Sequence, residues 1–382
     1  MNKGNIFIVG AGKEGKGYMG DVYEYAGWNV TFLERDPEVL KALEENGGYT
    51  MKAILLDGVR ERKISNFTAY LTDEAHSCEQ AFLDADLVTM CIYPEDIPEF
   101  AQYIAPCIAK RAKEYPERKL TILSCTNKNH YMKDVERFFL QALPEDAARQ
   151  WFLENVALRD VIVRRACNAP SKYATEINAV TANPLLIQPP LNVDLSEVEF
   201  MVLRDGIEDL KDIKLYTSNC PGAVTAYASY LKGYKTTNEG KADPELAQLR
   251  KDALNESMQG ILANYDISEQ ELHDFVFTEQ PEQTTIEYVP RQAIDPMRKL
   301  GRNDRMVGPA MLCYQKGIVP KALIRTIANA LSYDEPSDPS AMKMQQMIRE
   351  LGVQKAASQI TGLPEDHGLL QLVIEQYQAI HA

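Results

Sequence analysis

The sequence predicts an N-terminal doubly wound α/β domain over residues 1–195 and a mainly α-helical C-terminal domain over residues 196–382. Three observations carry this. Short, continuous apolar runs alternate with amphipathic stretches in the first half, the pattern of a parallel sheet covered on both faces. A glycine cluster follows the first of those runs at once. From Asp209 onward the apolar residues recur at helical spacing. A chain of 382 residues also exceeds the usual size of one core.

In chain order, the strands are expected at Asn5–Val9, Val30–Leu33, Leu87–Ile92, Leu120–Leu123 and Val156–Val163. The clearest helix between them is Asp36–Asn46. Asp36 suits the cap, Pro37 the first helical position, and Gly47 the stop. Val39, Leu40 and Leu43 share one face of it. Pro184, Pro189 and Pro190 mark the connection to the second half. There Leu246–Tyr265, Ala322–Leu331 and Ser340–Leu351 read as amphipathic helices, and Ser332–Ser340 reads as a loop.

The first strand leads into Gly10, Gly12 and Gly15, a GxGxxG pattern. The three glycines serve, in order, a tight turn, close backbone approach to a pyrophosphate, and close helix–strand packing. The helix that follows offers unpaired N–H groups and a positive dipole end to phosphates. The second strand ends at Glu34, where a carboxylate takes the adenosine ribose hydroxyls. A Rossmann-type fold binding NAD follows. The charge on Glu34 disfavours the 2′-phosphate of NADP, although Arg35 stands next to it.

Composition narrows the function. A formal net charge of −14 argues against a nucleic-acid partner. The chain has seven cysteines, an odd number, widely spaced and without a CxxC pair. They read as reduced thiols, neither a disulfide framework nor a zinc site. No His, Cys and Asp cluster has metal-ligand spacing, so no metal is expected. No apolar run approaches a membrane span. The first strand starts too close to Met1 for a signal peptide, so the expected location is the cytoplasm. The expected partner is a small-molecule substrate.

Five segments, GAGKEGKGYMG, TFLERDPEVLKAL, KLYTSNCPGAVTAYASYLKGYKT, DPMRKLGRNDRMVGPA and QKAASQITGL, together resemble the polyol-specific long-chain dehydrogenase/reductase family. The resemblance spans nearly the whole chain. It implies a Rossmann domain followed by a helical substrate domain, and hydride transfer between NAD and a polyol or polyol phosphate. The family's catalytic trio is a lysine, an asparagine after four intervening residues, and a histidine after two more. The lysine, the general base, falls at Lys214. The asparagine falls at Asn219, which can instead cap a helix starting near Pro221. The histidine position holds Gly222, a departure that puts turnover in question. Asn127, after the strand ending LTILSC, matches a family asparagine near nicotinamide and substrate. Its other reading is a turn residue. The segment with Arg298, Arg302 and Arg305 lies beside the substrate in the family, and these cations suit a phosphate or carboxylate. They can equally be solvated charges paired with Asp295 and Asp304. A second departure lies near Arg164, where the family carries an acidic residue.

Three functional readings remain. One is an NAD-dependent polyol or polyol-phosphate dehydrogenase. Another is an NAD-binding sensor or pseudo-enzyme that lost catalysis at Gly222. The third is a dehydrogenase of a hydroxy acid or opine, since this architecture serves several chemistries.

Overall fold

A computed structural model describes residues 3–180, 183–279 and 286–382. The chain divides into two compact units, one mainly Met1–Lys211, the other mainly Asp212–Ala382.

The first unit is built on strands β1 (Asn5–Val9), β2 (Asn29–Glu34), β3 (Tyr49–Leu55), β4 (Gly58–Ile64), β5 (Phe67–Leu71), β6 (Leu87–Met90), β7 (Leu120–Ser124), β8 (Val156–Ile162), β9 (Ala166–Asn168), β10 (Glu176–Val180), β11 (Leu185–Ile187) and β12 (Met201–Leu203). Eight of them form one sheet in the order β12-β11-β8-β7-β6-β1-β2-β5. From β8 through β5 every pairing is parallel. The order reverses between β1 and β6, the switch point at which open α/β sheets bind ligands. The central strands are buried along their length. In β6 and β7 every residue is buried, which explains their continuous apolar reading.

The helix expected after Asp36 forms at Pro37–Glu45. The Asp36 side chain accepts from the Glu38 N–H, and Gly47 takes a φ of +58° beyond its end. The last strand read from the sequence ends at Val163, and β11 and β12 extend the sheet beyond it. The unit boundary therefore falls inside the helix Ile207–Lys214, later than the change in composition near residue 195. A second sheet, β4-β3-β10-β9, also escaped the sequence reading. Its strand β4 (GVRERKI) lies at an edge and is mostly exposed, so charge fills the positions where an apolar run would signal a strand.

The second unit is helical in all its named elements. Its long helix Pro244–Asn264 is capped by the Asp243 side chain, with Pro244 in the first turn. Lys321–Leu331 and Pro339–Leu351 form where periodicity places them. Leu323, Leu331, Leu369 and Leu370 are fully buried in one core. Each such side chain contributes about 1.5–3 kcal/mol through removal from water.

Candidate active site

The glycine turn is held by backbone. The Gly10 N–H donates to Leu33 O at 2.8 Å, tying the turn to the end of β2. Gly10 has a φ of +93°, which L side chains rarely adopt. A Cβ on Gly15 would lie 1.9 Å from Gly10 O, so only hydrogen fits. Gly12 is different: a Cβ there meets nothing within 4 Å. Packing inside the protein does not require that glycine, whereas close approach of a pyrophosphate does. Residues 10–15 thus fit the cradle that a dinucleotide needs.

Glu34 completes this part of the site. Its Oε2 accepts from the Ala11 N–H at 2.9 Å. Its Oε1 accepts from the N–H groups of Arg35 and Asp36, at 2.9 and 3.0 Å. A carboxylate offers about four acceptor positions, so one remains for a ribose hydroxyl. Arg35 is exposed and ion-paired with Asp96 at 2.8 Å, which draws it away from a 2′-phosphate role. Lys16, inside the glycine motif, was not singled out from sequence. It is buried, and its Nζ donates to Ala174 O at 3.0 Å. Burial lowers its pKa to about 8, against a smaller opposing pull from Glu34.

Asn127 lies in the exposed turn that follows β7, at the carboxyl end of the sheet. Beneath it sits a pair that sequence reasoning missed. Lys211 and Asp160 are both buried, with Nζ and Oδ1 2.6 Å apart. Burial raises the Asp160 pKa, and attraction to Lys211 opposes the rise. The available signal was weak: Lys211 stands one helical turn before Lys214. Arg164 is half-buried just past β8, and desolvation lowers its pKa.

In the second unit, Asn219 follows Lys214 on one helical run. Ile207–Lys214 passes into a π-turn at Leu215–Asn219 and then into the helix Cys220–Leu231. The Cys220 N–H donates to Leu215 O, five residues back. Proline explains the wider turn. Pro221 has no N–H, and its ring would crowd the carbonyl four residues earlier in a regular helix. Single π-turns are frequent at functional sites. Lys214 and Asn219, both half-buried, stand at the two ends of this turn. The Asn219 side chain makes no capping bond, so the capping alternative does not hold. Gly222 is exposed, and a Cβ there meets nothing within 4 Å.

The basic cluster separates into differently engaged groups. Arg298 Nε lies 2.7 Å from Asp295 Oδ2, and Arg305 Nε lies 2.8 Å from Asp304 Oδ1. Arg302 donates to Gly362 O at 3.0 Å. Lys299 between them is buried. Desolvation, then repulsion from Arg305 and Arg298, lowers its pKa to about 8.

Comparison with known proteins identifies the family. The mannitol dehydrogenase Rossmann domain matches residues 4–187, and the mannitol dehydrogenase C-terminal domain matches residues 207–381. The chain belongs to the mannitol dehydrogenase family, NAD-dependent dehydrogenases acting on CH–OH groups. Among similar sequences is the mannitol-1-phosphate 5-dehydrogenase of Shouchella clausii (strain KSM-K16), 27% identical and covering 96% of this chain and 98% of that protein. The enzyme of the same name from Bacillus licheniformis is 28% identical, covering 97% and 98%. Among solved structures, Pseudomonas fluorescens mannitol 2-dehydrogenase in ternary complex with NAD and D-mannitol superposes with a TM-score of 0.75 at 14% identity, covering 100% of this chain and 92% of that one. A D-sorbitol dehydrogenase in substrate-free form gives a TM-score of 0.78 at 16% identity, covering 100% and 93%. These two likenesses concern the fold.

Proposed function

We propose that the protein interconverts a polyol, or a polyol phosphate, and its keto sugar, in the cytoplasm. The observation that carries this is the spacing of Lys214 and Asn219 across a π-turn, within a chain that matches the family in both domains. Seven free cysteines suit a reducing compartment.

Bound NAD supplies the hydride acceptor for alcohol oxidation. The Lys214 amine takes the hydroxyl proton, and Asn219 and Asn127 donate hydrogen bonds that steady the developing alkoxide. Glu34 and the glycine turn of Gly10, Gly12 and Gly15 hold the dinucleotide. Arg298, Arg302 and Arg305 are the candidates for a substrate phosphate. The carboxylates on Arg298 and Arg305 mean that a phosphate must compete with them. That competition makes phosphate selectivity the central question about the substrate.

The test is NADH consumption with fructose 6-phosphate and with fructose, in protein shown to bind NADH by fluorescence. Turnover with both supports a polyol dehydrogenase, and a strong preference for the phosphate supports the phosphate form. NADH binding without turnover on either sugar removes the reading and favours an NAD sensor.

A further inference from the structure

The Lys211 ammonium has three N–H donors, and all three are engaged. One goes to Asp160 Oδ1 at 2.6 Å, one to Thr126 O at 2.9 Å and one to Lys128 O at 3.4 Å. Thr126 and Lys128 flank Asn127. Lys211 is thereby a clamp on the two carbonyls either side of that residue. Asp160 is fixed in turn, since its Oδ1 also accepts from the Val161 N–H at 3.0 Å on β8. The pair spans the carboxyl ends of two adjacent parallel strands, β7 and β8. With its donors used and its charge paired, Lys211 is poorly placed to be a base.

A buried ion pair is weak evidence for stability, because desolvating two charges costs about as much as their attraction returns. The clamp therefore needs another explanation. Turns at strand ends are ordinarily mobile, and a group that must meet a reacting oxygen has to be held within a fraction of an ångström.

We propose that Lys211 and Asp160 are positioning residues that hold the Asn127 turn rigid for catalysis. The proposal rests on the reading of Asn127 as a site residue.

Two variants of the full-length protein test it. Lys211→Met leaves Asp160 buried and unpaired, and loss of folding is expected from that alone. The double variant Lys211→Met/Asp160→Leu removes both charges and decides the matter. The expected result is a folded protein with a Tm near that of wild type. NADH affinity stays within about twofold. Hydrogen exchange across residues 124–131 becomes at least about tenfold faster, and kcat with fructose 6-phosphate or fructose falls at least about twentyfold. Wild-type exchange in the double variant overturns the proposal. So does a loosened turn with unchanged kcat, which would leave the pair a merely structural role. If wild-type protein turns over neither sugar, the functional reading above fails. The exchange measurement still decides the clamp.

Discussion

The glycine turn and the π-turn segment solve different problems with different parts of the chain. Around Gly10, Gly12 and Gly15 the site is backbone. Its geometry depends on the absence of side chains, and its fixed contacts are N–H groups on a carbonyl and a carboxylate. Around Leu215–Asn219 the backbone supplies a wide turn, and the side chains proposed for the chemistry, Lys214 and Asn219, stand at its ends. A backbone site tolerates almost no substitution at its glycines. A side-chain site can lose one member and keep its frame, and Gly222 lies within the undisturbed helix Cys220–Leu231.

Lys214→Ala separates the two regions most strongly. The expected loss in kcat is about 10³-fold, the scale of a general base, with NADH affinity unchanged. Steady-state kinetics and fluorescence titration check both arms. Retained turnover sinks the assignment of the base.

Gly15→Ala and Gly12→Ala probe the backbone site as a contrasting pair. A methyl on Gly15 overlaps the Gly10 carbonyl, so Tm and NADH affinity should fall together, affinity by at least about 100-fold. A methyl on Gly12 enters open space. There Tm should stay within about 2 °C, as for an ordinary surface change, while NADH affinity still falls at least about tenfold. Unchanged affinity in Gly12→Ala would remove the pyrophosphate from this turn.

Gly222→His approaches the contrast from the other side. The exposed position accepts the side chain, and histidine is favoured over glycine in a helix by about 0.3 kcal/mol. Turnover should rise about tenfold if the imidazole alone is missing, since a donor to the developing oxyanion is worth roughly 10²–10³-fold when ideally placed. No gain in kcat would show that the site has been rebuilt around a different donor.

An effect of similar size is expected at Glu34→Gln. The neutral side chain has one oxygen in place of two, so it cannot accept from Ala11, Arg35 and Asp36 as Glu34 does. It also stops repelling a 2′-phosphate. The ratio of NADPH to NADH dissociation constants should shrink about tenfold. A ratio that does not move would take cofactor choice away from Glu34.

Much of the fold was legible because its determinants are local. The apolar runs at β1, β2, β6, β7 and β8 announce strands buried on both faces. Asp36, Pro37 and Gly47 announce a helix by cap chemistry. Strands β3, β4, β9 and β10 were hidden: β4 carries the charges that otherwise mark a loop, and β9 is only three residues long. Within the candidate site, Glu34 was readable from motif and spacing, and Lys214, Asn219 and Asn127 from the resemblance to the family. Lys16, Lys211 and Asp160 were not. A buried lysine looks like a surface lysine in sequence, and only its surroundings distinguish them.

Chain order alone was enough for the glycine turn and the acidic end of β2, because each is a relation between residues close in the chain. Folding in three dimensions was needed to bury Lys16 against the Ala174 carbonyl. It also closed Lys211 on a carboxylate 51 residues away. Those outcomes depend on which distant groups share a low-dielectric interior, and the order of residues carries no record of that.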